Sequence, residues 1–201
     1  MNSLLRSVII LLSSLLLSSP CFSAEPPAAP FGLEWATSAE GMQTAGITLS
    51  PVATKDGSKR FTATGLSRTL NDVDTVLLDF GYSNKLYRIA VASHDFPSDP
   101  YGNKVLSRYT ELVSVLTSKY GTGSARHHTG GSIYDERRYF LSGIEGGKNW
   151  HFTTFDAQGL SIEISVRAKS SDTGYWVIIY EHKTLAKEFE TEKAKREKGA
   201  L

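Results

Sequence analysis

The chain has 201 residues, with 22 basic and 21 acidic side chains and a formal net charge of +1. Because a nearly neutral chain has no overall field to draw it onto nucleic acid or an anionic membrane, nucleic-acid binding is set aside. The length suits one domain of ordinary size, and the single cysteine is Cys21.

The N-terminal residues 1–24 have the layout of a secretory signal peptide. Arg6 supplies a short positive region, and an apolar run over 8–17 ends before a proline and small residues. This run is too short to indicate a membrane span. We expect cleavage after Ser23 or Ala24, which places the mature protein in the periplasm or outside the cell without an integral membrane segment.

Cys21 raises the alternative of a lipoprotein, in which a lipid is attached to the cysteine after cleavage. Pro20 precedes it directly and argues against this alternative, since the lipoprotein peptidase requires a small residue other than proline there. Removal of residues 1–24 takes away Cys21 and one of the 22 basic residues, which leaves a net charge of zero. Without disulfides, the exported protein must be held together by its core.

A stiff proline-rich spacer, residues 25–30, precedes a predicted single domain over residues 31–182. Ser38 is placed to cap a short helix that ends at Gly46. Two hairpins follow, and the first turns at Lys55-Asp-Gly-Ser58. The predicted strand ranges are 47–54, 60–64, 75–82 and 86–92.

A long helix is predicted over residues 100–120. Asp99 is assigned as its N-cap and Pro100 as its first residue, and apolar side chains then recur at three- and four-residue spacing until Gly121. Residues 126–131 are interpreted as a loop. Further strands are predicted over 133–141, 150–155, 160–168 and 175–181, with Gly143–Gly147 as a hairpin connection.

These elements predict an α+β fold: an antiparallel, curved β-sheet with one long helix packed across a face and short helices near both ends. Leu160 to Ala168 alternates apolar and polar residues, which indicates a strand with one wet face. Residues 183–201 are predicted to be a charged C-terminal helix, with an i,i+4 pair between Glu192 and Arg196. We interpret this segment as a solvated, frayed tail rather than as a partner-binding helix.

The run Phe31-Gly-Leu-Glu-Trp35, followed by Ser38 and Gly46, resembles the start of a group of exported bacterial proteins of unknown function. The end of the long helix, Lys119-Tyr-Gly121, is similar to theirs as well. The short helix ending in glycine also resembles small outer-membrane assembly lipoproteins of the BamE type. Ala36 departs from the group, which often has glycine there. The resemblance implies an exported, non-enzymatic protein and carries over no catalytic residue.

The five histidines are the candidates for a metal site: His94, His127, His128, His151 and His182. A structural zinc site needs about four ligands, and adjacent histidines in a strand point to opposite faces. We therefore predict no metal and no cofactor. A secreted hydrolase or metal-dependent enzyme centred on His127, His128 and His94 is kept as an alternative.

Catalytic motifs give no stronger indication, and no catalytic residue is assigned. The run 121–125 lacks the second glycine of a G-x-S-x-G nucleophile turn. Asp79 and Glu163, candidates for a carboxylate pair, take polar positions in alternating strands, which favours the solvent face. The three tryptophans, Trp35, Trp150 and Trp176, are assigned to the core.

Binding is the remaining function, and arginine and tyrosine are enriched where partners bind. We predict a binding surface around the histidine loop, made of Arg126, His127, His128, Tyr134, Arg137 and Arg138. The leading hypothesis is a soluble periplasmic protein that acts on another envelope protein as an accessory, inhibitor or immunity-type factor. A small-ligand sensor that uses the concave face of the sheet is a further alternative.

Overall fold

The computed structural model describes residues 27–54 and 57–200. The predicted signal peptide, the first two residues of the spacer and Lys55-Asp56 of the first predicted turn lie outside the described residues. Within these described ranges the fold is α+β, with an open, eight-stranded antiparallel sheet and four α-helices.

The strands are β1 (Thr48–Val52), β2 (Lys59–Thr64), β3 (Val73–Phe80), β4 (Leu86–Ser93), β5 (Ser124–His128), β6 (Trp150–Ala157), β7 (Leu160–Ser170) and β8 (Thr173–His182). The helices are α1 (Ala39–Thr44), α2 (Asn103–Tyr120), α3 (Phe140–Glu145) and α4 (Lys183–Gly199).

Along the sheet, the strands follow the order β1-β2-β3-β4-β8-β7-β6-β5. Each half is therefore a four-stranded meander, and the last strands of the two meanders, β4 and β8, pair at the centre. Helix α2 carries the chain from β4 to the far edge of the sheet, where β5 begins. The two edge strands are β1 and β5.

Alternation along the strands gives the sheet two different faces. On the core face, Leu78, Ile89 and Tyr180 occupy paired positions on adjacent strands, and all three are buried. Helix α2 contacts β6, β7 and β8 from this side. The helix buries the side chains of Val105, Tyr109, Leu112 and Leu116.

The opposite face, which we call the outer face, carries the polar set of side chains. Asp79 lies there but is only 2% exposed, so its predicted place in solvent is wrong. Its carboxylate accepts hydrogen bonds from Arg60 at 2.6 and 2.9 Å and from Arg88 at 3.2 Å. The two guanidinium groups reach it from the strands on either side, β2 and β4, and cover it.

The long helix α2 begins later than predicted. Its first residue is Asn103, and the N-cap is Gly102, in the left-handed region with φ +68°. Asp99 still supplies the capping chemistry, because its carboxylate accepts the backbone N–H groups of Asn103, Lys104 and Val105 at 2.8, 2.8 and 3.3 Å. The helix ends before Gly121, as predicted.

The predicted strand over 133–141 is wrong. The chain forms two short 3-10 helices, Ser132–Asp135 and Arg137–Tyr139, and then α3, which also replaces the predicted hairpin connection over Gly143–Gly147. The physical reason is Asn149, whose buried side-chain amide donates to backbone carbonyls of this segment and satisfies them without a partner strand. The strand of this region is β5 (Ser124–His128), which takes up residues 126–128 of the predicted loop.

The C-terminal helix α4 has 17 residues, so the prediction of a short helix near that end is wrong; of the two end helices, α1 is the short one. Phe189 is 5% exposed and stacks on Tyr82 and Tyr87, with ring centroids 5.3 and 5.0 Å apart. The guanidinium carbon of Arg196 lies 4.2 Å from the centroid of the Tyr82 ring. Across the two described ranges, no helix combines the length and the apolar character needed to cross a membrane.

Candidate functional site

The predicted binding residues Arg126, His127 and His128 lie on the edge strand β5. All five residues of this strand are exposed. Its register with β6 pairs Arg126 with Phe152, His127 with His151, and His128 with Trp150. Because side chains alternate along a strand, His127 faces the core side while Arg126 and His128 share the outer face. The adjacent histidines therefore point away from each other.

His127 and His151 form a stacked pair, with ring centroids 3.6 Å apart and planes 9° apart. Tyr109 of α2 and Phe140 of α3 approach the His151 ring edge-on, at 4.8 and 5.9 Å. Burial, together with the smaller effect of the neighbouring His127, lowers the pKa of His151 to about 4. Burial also lowers the pKa of His127. Both rings are therefore neutral at pH 7.

This pair predicts a loss of stability in mild acid. The unfolded chain protonates histidine near the ordinary value of 6.5, whereas the folded protein holds His151 neutral to about pH 4. The free energy of unfolding is therefore unaffected by His151 above pH 6.5 and decreases as the pH falls towards 4. We expect a decrease of about 1 to 2 kcal/mol, after allowance for the partial exposure of the ring. Urea unfolding at a series of pH values measures it.

His151→Phe should flatten this pH dependence, and His94→Gln, at an exposed position, is the matched control that should leave it unchanged. Some dependence of the free energy of unfolding on pH should remain in this variant, because burial also lowers the pKa of His182. An unchanged slope in His151→Phe would contradict the assignment.

On the outer face, His128 stacks on Trp150, with ring centroids 3.8 Å apart. Trp150 is 46% exposed, so its assignment to the core is wrong, whereas Trp176 is fully buried. The half-buried Trp35 donates its indole N–H to the carbonyl of Pro27 at 3.1 Å. Trp150 is thus the tryptophan that is open to a ligand or partner.

Tyr134, Arg137 and Arg138 lie in the crossover segment, residues 129–139, which joins β5 to α3. Arg137 donates to the side-chain oxygen of Asn103 at 2.7 Å and so ties the segment to the start of α2. Arg138 pairs with Glu136 at 2.8 Å and lies 4.9 Å from the Tyr139 ring centroid. The six predicted residues are therefore divided between the edge strand and the segment that follows it.

Asn149 fixes the crossover segment and was missed in the sequence. It is 4% exposed. Its side-chain oxygen accepts the backbone N–H of Gly130 at 2.9 Å, and its amide nitrogen donates to the carbonyls of Tyr134 and Phe140 at 3.3 and 3.4 Å. No local pattern marks an asparagine whose hydrogen-bond partners lie 9, 15 and 19 residues away in the chain.

The three histidines of the alternative enzyme site, His94, His127 and His128, do not come together. His94 follows β4, which is four positions from β5 in the sheet, roughly 19 Å at the usual strand spacing. There it contacts Phe96 and the carbonyl of Asp95. Among the described residues, no three histidine, cysteine, aspartate or glutamate side chains are grouped to hold a metal ion. An enzyme centred on His94, His127 and His128 would need a common centre that this arrangement does not provide.

A cavity of about 310 Å³ lies beside this edge, where β6 and β7 stop pairing. The register of the two strands ends at Phe152 and Ser165, although β6 begins at Trp150 and β7 continues to Ser170. The resulting split between the strands opens on the outer face. The cavity lining includes Ile144, Trp150, Phe152, Glu163, Ser165 and Arg167.

The two charged side chains of this cavity come from β7, where Glu163, Ser165 and Arg167 alternate on the outer face, and Asn149 and His151 add further polar atoms. Ser165 is 3% exposed, and its hydroxyl has no hydrogen-bond partner among the described residues. The Glu163 carboxylate and the Arg167 guanidinium are 3.6 Å apart. The alternation of polar and apolar residues in β7 was visible in the sequence. No short sequence pattern indicated that β6 and β7 would stop pairing at Phe152 and Ser165.

Comparison of the chain with models of protein families, with curated proteins and with solved structures gave no significant match.

Proposed function

We propose that the protein is a soluble, exported, non-enzymatic factor that binds another envelope protein through the free edge of β5. In this proposal β5 accepts an extended segment of the partner as a ninth strand, so that backbone hydrogen bonds supply affinity and side chains supply selectivity. The partner's activity would be assisted or inhibited by this contact, as an accessory or immunity-type factor acts.

The difference between the two sheet edges carries the proposal. Edge strands expose unpaired backbone N–H and C=O groups, and proteins usually protect them with proline, bulges or covering elements. The β1 edge contains Pro51, which has no N–H to donate. The β5 edge has no proline, and all five of its residues are exposed. Of the two edges, β5 is therefore the better template for a strand from a partner.

The side chains beside β5 favour an acidic strand. Arg126 makes no hydrogen bond or ion pair with any described residue, so its charge is free to meet a carboxylate. His128 and the exposed Trp150 extend the contact on the outer face. At the end of the strand, Tyr134, Arg137 and Arg138 would add the rim of the interface.

Export is the second part of the proposal. It depends on the apolar run, the positive Arg6 and the small residues before position 25, which together favour periplasmic or extracellular location. A curved sheet with α2 across one face completes the proposed architecture.

Proline substitutions at two adjacent positions of β5 test strand addition. Neighbouring residues of an edge strand direct their N–H groups alternately towards β6 and away from it, so Ala125→Pro and Arg126→Pro block different sides. The variant that blocks the outward N–H should keep nearly the wild-type Tm and lose partner binding by about tenfold or more. The other should lower Tm.

The partner is first captured from an envelope extract with the wild-type protein and identified by mass spectrometry, and its affinity is then measured with purified components. Arg126→Ala separates the contribution of the charge from that of the backbone, and Arg68→Ala is a matched control for loss of a cation elsewhere. Unchanged affinity in both proline variants would refute strand addition at β5.

A further inference from the structure

We propose that the cavity between β6 and β7 binds a free zwitterionic amino acid with an apolar side chain. This site shares Trp150 with the β5 surface but takes its charged groups from β7, and neither its failure nor its success decides the protein-binding proposal. It places a small-molecule site on the outer face, with recognition groups from β7 and an apolar wall from β6 and α3.

The two charges on the cavity wall match the two charges of the ligand. Glu163 and Arg167 form an ion pair whose nearest oxygen and nitrogen are 3.6 Å apart, beyond a direct hydrogen bond, and a zwitterionic ligand would replace this contact. Neither side chain makes a hydrogen bond with any other described residue, and so both keep their hydrogen-bonding capacity. An α-ammonium group and a carboxylate, joined through one carbon, can pair with Glu163 and Arg167 respectively.

Ser165, between Glu163 and Arg167 in the strand, gives an independent indication. Its hydroxyl is buried and unpaired within the described part of the chain, and buried polar groups of this kind are rare without a functional partner or a water molecule. Ser165 lines the cavity. A ligand carboxylate held by Arg167 would give this hydroxyl the acceptor that it lacks.

The apolar part of the lining sets the ligand's side chain and size. Phe152 is paired with Ser165 across the strands, and Ile144 of α3 lies on the same cavity. One face of Trp150 is covered by His128, and the ring also lines the cavity. A volume of about 310 Å³ is at the lower end of ligand sites. It suits leucine or phenylalanine better than an oligosaccharide.

Isothermal titration calorimetry with the purified protein tests the site, with L-phenylalanine and L-leucine as probes. N-acetyl-L-phenylalanine lacks the ammonium charge, L-phenylalaninamide lacks the carboxylate, and glucose serves as a neutral polyol. Saturable binding of a free amino acid, about tenfold or more weaker for both blocked analogues and undetectable for glucose, is the expected result.

Variants then locate the binding. E163Q and R167Q should each weaken it by about tenfold or more, whereas K169Q, on the same strand outside the cavity, should not. S165A removes the unpaired hydroxyl, and so it should raise the Tm of the free protein and lower its affinity for the amino acid. Binding that survives both E163Q and R167Q, equal binding of glucose, or no saturable binding of any proteinogenic L-amino acid would overturn the proposal.

Discussion

Replacement of Asn149 by alanine is expected to lower the free energy of unfolding by about 2 to 3 kcal/mol, because a buried side chain that makes three hydrogen bonds to the backbone is lost. Those bonds hold Gly130 and Tyr134 of the crossover segment and Phe140, the first residue of α3. Urea unfolding measures the loss. Amide hydrogen exchange should show faster exchange in residues 129–139 than in the β3–β4 meander.

Two further variants separate this effect from a general one. Gly143→Ala should act in the same direction, since a Cβ at that position would overlap the Asn149 side-chain amide. Asn103→Ala removes an exposed asparagine that accepts one bond from Arg137, and it should cost less than about 1 kcal/mol. If Asn103→Ala were as damaging as Asn149→Ala, the crossover segment would not depend on Asn149.

The second large effect is expected at Asp72, in the connection between β2 and β3. Its carboxylate accepts two bonds from Arg108 of α2, at 2.8 and 3.0 Å, and one from the indole of Trp176 at 3.0 Å. Asp72→Ala leaves the indole N–H of a fully buried tryptophan without its acceptor. We expect a loss of about 2 to 4 kcal/mol at neutral pH.

Arg108 supplies the control, because it also pairs with Glu111 at 2.8 Å, and Glu111 is 60% exposed. Glu111→Ala should cost under about 0.5 kcal/mol. Burial alone would raise the pKa of Asp72, but the hydrogen bonds from Arg108 and Trp176 outweigh it, and the pKa is lowered. Its contribution is therefore present above the ordinary carboxylate range and is lost in stronger acid than the histidine effect. Equal losses for the two variants would contradict this assignment.

Much of the fold was predictable because the relevant signals are local. The apolar stripe of α2 and the alternation of β7 follow directly from helical and strand periodicity. Glycine at 121 and the capping chemistry of Asp99 were also readable. The start of α2 was misplaced because Asp99 caps the helix from three residues before the N-cap, a geometry that the left-handed Gly102 permits.

The wrong predictions fall where residues distant in the chain determine the local structure. The strand predicted over 133–141 has suitable apolar and aromatic residues, but Asn149 satisfies its backbone from outside the segment. Asp79 has a polar position and is buried because arginines on two neighbouring strands cover it. The cavity beside Ser165 depends on where the β6–β7 register ends. None of these is encoded in a short window of sequence.

The strand order also constrains the sequence of events during folding. β4 completes the first meander early in the chain, yet its second neighbour, β8, is the last strand to be made, and Arg88 pairs with Glu181. Such a contact, distant along the chain, closes slowly. Until this contact forms, one edge of the apolar strand β4 has unpaired backbone groups that can pair with another chain and cause aggregation. Because α2 packs on β6, β7 and β8, the edge of β4 stays open until β8 is complete.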